Sequence, residues 1–178
     1  MTKRMWPSAA AILTCAAAAQ SANVLDEFQR RIADYVKVHE QAQSSAGKLK
    51  PTTSSERIAS HEQELANKIR EARVQAVQGN IFTAAIGNVF RRRLANAAAG
   101  RDATTMRQSL RRSEPVAVPL RVNESYPESV PLQTTPPSLL RNLPKLPPEL
   151  EYRVVGRALV LRDTGANLIV DLLPNALP

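Results

Sequence analysis

The chain has 178 residues, with 24 basic side chains against 16 acidic ones and a formal net charge of +8. Its single cysteine, Cys15, lies near the start, so the rest of the chain can build neither a disulfide framework, a Cys-ligated zinc nor a thiol nucleophile. No apolar run reaches the ~20 residues that a membrane-spanning helix needs, and the few rings after Trp6 (Phe28, Tyr35, Phe82, Phe90, Tyr126, Tyr152) suit one small domain.

The N-terminus begins with the cations Lys3 and Arg4. An Ala-rich apolar run, Ser8–Ala19, follows, and Ala17-Ala18-Ala19 offers a small-x-small cleavage pattern. This predicts a bacterial-type secretory signal over residues 1–22 and a protein that works in the periplasm or outside the cell, without nucleotide cofactors. Lipidation at Cys15 is the lesser expectation, because Thr14 stands where a lipobox prefers a smaller residue.

Residues 23–114 are predicted to form a helical domain. Asn23 and Asp26 resemble a capping pair, and Leu25, Phe28, Ile32, Tyr35, Val36 and His39 share one face of a helix over about 24–43. Gly47 and Pro51 break it. Thr53 and Glu56 suit a second capping box, Ile58, Leu65 and Ile69 continue the stripe, and Gly79 is the expected stop. The two helices should form an antiparallel hairpin. Thr83 is the expected cap of a third helix carrying Ile86, Val89, Phe90 and Leu94 and ending at Gly100. A short fourth helix is expected after Asp102.

Prolines change the chain's character at Pro115. Residues 115–148 are predicted to be an extended belt packed on the domain, with short edge strands at 116–118 and 120–122 and one helical turn at Pro136–Leu140. Residues 149–178 alternate at period two, with turns at Gly156-Arg157 and Thr164-Gly165. Tyr152 and Val154, Leu159 and Leu161, and Leu168, Val170 and Leu172 should face one side of a three-stranded antiparallel meander. The fold class is therefore α+β.

Two surfaces carry candidate chemistry. His39 and His61 fall at similar levels of the expected hairpin, and Glu62 or a neighbouring acid can complete a site for a divalent metal. The plainer expectation is that both histidines sit at the edge of the core, bonded to backbone or acid, and that the protein carries no cofactor. The second surface is basic. Residues 68–112 hold ten cations against Glu71 and Asp102. Arg91, Arg92, Arg107 and Arg111 are the candidate anion-binding residues, with a solvated basic face as the plainer alternative. Arg93 falls on the apolar side of its helix, which predicts an ion pair with a carboxylate such as Asp34 or Glu71. Nucleic acid is not an expected partner, since no aromatic side chains interleave these arginines. Catalysis has no motif: there is no Gly-x-Ser-x-Gly, phosphate loop or His-Glu-x-x-His. Asp163 reads as an ordinary turn residue, and Asn123-Glu124-Ser125 as a chance glycosylation sequon.

Three stretches carry a resemblance: Gly79-Asn80-Ile81-Phe82-Thr83, then Leu146–Arg157, then Ala166-Asn167-Leu168-Ile169-Val170-Asp171. The chain resembles uncharacterised secreted bacterial proteins of the acidobacterial type, a likeness that implies export and no particular activity. The run from Leu146 to Asp171 is also similar to the C-terminal sheet of periplasmic nickel/cobalt-homeostasis proteins, which implies a metal role. Together these readings favour an exported, non-enzymatic binding or interaction module of the cell envelope. A periplasmic metal-binding protein using His39 and His61 comes second, and a hydrolase third.

Overall fold

The computed structural model describes residues 9–47, 49–99, 119–127 and 137–177, with side chains from Ala22 onward in the first helix. The expected fourth helix after Asp102 and the strand at 116–118 lie outside the described residues.

Helix α1 spans Ala9–Ala46. It begins well before the expected start at residue 24, because alanine is the strongest helix former and nothing between Ala9 and Ala22 interrupts the helix. Asn23 is thus an interior residue and caps nothing. The helix turns at Gly47, whose φ of +81° is a left-handed conformation that glycine tolerates.

Helix α2 spans Ser55–Ala72. Its cap is Ser54 rather than Thr53: the Ser54 hydroxyl accepts the Arg57 N–H at 3.3 Å. The helix closes at Arg73, whose N–H returns to the carbonyls of Ile69 and Arg70. That is earlier than the expected stop at Gly79, since residues 73–80 form turns tied to the sheet, as described below. Tyr35 of α1 lies against Arg73, and His39 approaches the same glycine as Leu65, so later residues of α1 meet earlier ones of α2. The hairpin is antiparallel.

Helix α3 spans Ala84–Ala99. Thr83 caps it as expected, with its carbonyl accepting from Gly87 at 2.7 Å and its hydroxyl from Ile86 at 3.4 Å. Phe82 packs edge-on against Phe90 at 5.3 Å, and Phe28 of α1 completes a fully buried aromatic centre at 4.9 Å from Phe90. Helix α4, Pro137–Leu140, is the single turn predicted after the paired prolines.

Strands β1 (Leu150–Val155), β2 (Ala158–Asp163) and β3 (Leu168–Leu173) form an antiparallel meander in the order β1-β2-β3. Both faces are covered. Tyr152, Leu159, Leu161, Leu168 and Val170 join the core built by the helices. Val160, Ile169 and Leu172 pack instead with Tyr126, and with Leu120 and Val122, on the opposite face. Residues 120–122 form no strand. The neighbouring Ser125 makes an isolated bridge to Leu168 at the β3 edge.

One feature of β3 departs from simple alternation. Leu161 pairs with Asp171, yet Arg162 pairs with Ile169, so Val170 is an extra residue opposite β2. This bulge shifts the phase. Leu168 and Val170 face the helices, and beyond the bulge Leu173 does so in place of the expected Leu172.

Helix α3 comes close to this strand at Gly87. A Cβ there would stand 2.8 Å from Leu173 Cδ1 and 3.3 Å from Arg91 Nη1. Overpacking costs about 1–3 kcal/mol, while replacing a helical glycine by alanine returns about 1 kcal/mol. Gly87→Ala is therefore expected to destabilise the fold by about 1 kcal/mol net, read as a lowered urea midpoint at unchanged slope.

Candidate functional site

The inward face of the sheet carries two fully buried carboxylates, Asp163 and Asp171. Each is placed by strand geometry. Asp163 follows Leu159 and Leu161 at period two and ends β2. Asp171 sits just past the bulge, opposite Leu161. A buried carboxylate needs partners for its lone pairs, and each finds several.

Asp163 divides its oxygens between two tasks. Oδ1 accepts the backbone N–H groups of Gly165 at 2.9 Å and Ala166 at 2.8 Å, which shapes the β2–β3 turn. Oδ2 lies 2.6 Å from both the Tyr35 hydroxyl and His39 Nδ1 on α1. His39 is only 3 % exposed. Its hydrogen bond to Asp163 holds the imidazole pKa above the usual 6.5 against the opposing effect of burial, with the charges of Asp163, Glu149 and Glu40 adding to the rise. Burial, reinforced by Asp163, pushes the Tyr35 hydroxyl far above its ordinary value of 10.0, so it stays a donor.

Asp171 serves the backbone. Oδ1 accepts from Gly79 at 2.9 Å and Leu172 at 2.8 Å, and Oδ2 from Ile81 at 2.7 Å and Phe82 at 2.8 Å. It thereby shapes the turn between α2 and α3.

Arg73 joins the two regions. Its guanidinium lies over the Tyr35 ring at 5.0 Å. Nη2 donates to the carbonyl of Val170, the bulged residue, at 3.0 Å, and Nη1 to Asn123 Oδ1 at 3.1 Å. Asn123 Nδ2 donates back to the Arg73 carbonyl at 2.8 Å. The sequon asparagine is thus a structural residue whose amide is occupied on both sides. Burial draws the Arg73 pKa below that of a free guanidinium, while Tyr35, Asp171 and Asp163 act to restore it.

The residues singled out in the sequence have separate fates. His39 is bonded to Asp163. His61 is half-buried in an open hollow of about 300 Å³ with Leu49, Glu56, Arg57, Ser60 and Glu64, and Glu62 does not line it. Among the described residues no three His, Cys, Asp or Glu side chains converge in a way that could hold a metal ion. Arg91 does not point freely to solvent: Nη2 donates to the Pro174 carbonyl at 3.1 Å and fastens the chain after β3. Arg92 is exposed. Arg93 is not paired with either carboxylate expected for it. It donates to the Asn142 carbonyl at 3.3 Å, while Asp34 pairs with Lys37 and Glu71 with Lys68. The reason is chemical: a guanidinium has five donors and serves loop carbonyls as well as acids. Arg107 and Arg111 lie outside the described residues.

On the outer face, Glu151 binds Arg153 and Arg162, and Arg162 also lies over the Tyr126 ring at 5.4 Å. Beside β1, a cleft of about 360 Å³ is lined by Leu140, Leu143, Leu146, Tyr152 and Arg153, among others.

The fold and this polar framework define an α+β domain whose buried charges are used to fasten loops. No family model, curated protein or solved structure matches the chain. No helix among the described residues is long and apolar enough to cross a membrane.

Proposed function

We propose that the chain is an exported, non-enzymatic binding module of the bacterial cell envelope. The observation that carries this reading is the leader: Lys3 and Arg4, then the apolar Ser8–Ala19 run, then Ala17-Ala18-Ala19. A binding role is favoured over catalysis because His39, Asp163 and Asp171 are each engaged in structural hydrogen bonds. The contact residues in this reading are Arg92, exposed on α3, with Arg107 and Arg111 further along the sequence, and their partner is an anionic envelope component.

Expression of the full chain in a Gram-negative host tests both parts. Intact mass should show a periplasmic product beginning within residues 20–23. An uncleaved cytosolic product would overturn the export reading. The purified product should be retained on phosphatidylglycerol vesicles at low salt. Arg92→Glu should weaken retention at least fivefold, since ~1 kcal/mol per surface cation is lost and a repelling charge is added. Retention that ignores both salt and Arg92→Glu would overturn the anionic partner.

A further inference from the structure

We propose that His39, Asp163 and Tyr35 form a proton-operated clasp that fastens the helical hairpin to the β2–β3 turn. It is closed while the His39 imidazole is doubly protonated and looser once it is neutral. The inference does not depend on export or on the partner.

The geometry places one carboxylate at the junction of two units. Asp163 Oδ1 holds the turn through Gly165 and Ala166, and Oδ2 holds α1 through Tyr35 and His39. The turn is wedged against the helices, because a Cβ on Gly165 would lie 3.4 Å from both His39 Cε1 and Leu65 Cδ2. Weakening the hold on Oδ2 would therefore loosen the attachment of the turn to the hairpin, while Thr164 keeps the turn tied to the carbonyls of Pro148 and Glu149.

The imidazole faces an acidic setting. Asp163 on β2, Glu149 just before β1 and Glu40 on α1 all act on it. Among the described residues Glu149 Oε2 is buried with no hydrogen-bond partner, so it offers the site negative charge that no neighbouring donor there satisfies. From α2 the packed neighbour is apolar Leu65, with half-buried His61 one turn earlier. Arg73 lies beyond Tyr35, over its ring. Tyr35 keeps its proton throughout, so the imidazole is the group of the clasp that changes near neutrality. Neutral His39 can still donate from Nδ1, but the ion pair is lost and the carboxylate keeps less of its compensation.

The sign follows from linkage. With the folded value above the 6.5 of a free imidazole, the proton's contribution is complete below pH 6.5. It is lost as pH rises through the folded value.

Two measurements on the intact protein test the clasp. The first is an NMR titration of the imidazoles, with His61→Gln used to assign the signals. His39 should titrate above 6.5. The second is amide hydrogen exchange expressed as protection factors. Protection at Gly165 and Ala166, taken relative to Leu161, should fall as pH rises across the His39 titration. In His39→Gln the ratio should be flat with pH. If that variant does not fold, the wild-type titration and protection ratio still decide. A His39 that titrates at or below 6.5, or turn protection indifferent to its titration, overturns the proposal.

Discussion

Asp171→Asn is expected to destabilise the protein by about 3–5 kcal/mol, nearly as much as Asp171→Ala. Both carboxylate oxygens accept from backbone N–H groups: Gly79 and Leu172 on one, Ile81 and Phe82 on the other. An asparagine has one acceptor oxygen. Its amide nitrogen would face two N–H groups, donor against donor, in a site with no exposure. Neither orientation of the amide escapes this, since each oxygen is doubly used. For a chain of this size, about 3–5 kcal/mol corresponds to a melting temperature lower by roughly 10–15 °C. Chemical denaturation of the two variants is the check. An Asn variant within about 1 kcal/mol of wild type would mean that the backbone groups are not held as described.

Asp163 should behave in the opposite way. Asp163→Asn is expected to cost about 1–2 kcal/mol and Asp163→Ala about 3–5 kcal/mol. Here the partners of one oxygen can change roles. The oxygen of the substituted amide can keep Gly165 and Ala166, while its nitrogen donates to the Tyr35 hydroxyl and to an unprotonated His39 Nδ1. What is lost is charge rather than connectivity. The Asn variant should also lose the decline in stability expected of wild type above pH 6.5, because the hydrogen bond to Asp163 is the main cause of the raised His39 pKa. Thermal melts from pH 5.5 to 8.5 on wild type and both variants would show this. The same penalty for both Asp163 substitutions would refute the exchange of roles.

Much of this framework was legible in the sequence, although unequally. Tyr35 and His39 stand four residues apart on the apolar stripe of α1, and Leu159, Leu161 and Asp163 share one face of β2 by simple alternation. A carboxylate on that face has to be buried with partners, so the turn reading of Asp163 named only half its role. Nothing local could say that Asp163 meets His39, because their contact closes a gap of 124 residues. Asp171 was hidden for a different reason. Uninterrupted alternation puts it on the outer face, and only the bulge at Val170 turns it inward. The strand order and the hairpin were readable because each rests on period and turn chemistry alone.

The basic stretch teaches a complementary point. An excess of cations over residues 68–112 looks like a patch when counted along the chain. In the fold, Arg70 reaches Asn123 and Ser125, Arg73 reaches the sheet, Arg91 reaches Pro174 and Arg93 reaches Asn142. Local charge therefore measured a supply of donors for distant carbonyls as much as a surface potential. Arginine suits that use, since its planar fork holds several acceptors without needing an opposing charge.

The extra residue at Val170 makes β3 a strand written in two frames. Upstream of it the odd positions are outward, and downstream the even ones are. Loss or gain of a single residue between Leu168 and Leu173 would exchange Asp171 with its neighbour and strip the α2–α3 connection of its acceptor. Substitutions in this strand can be absorbed one at a time, but its length cannot drift.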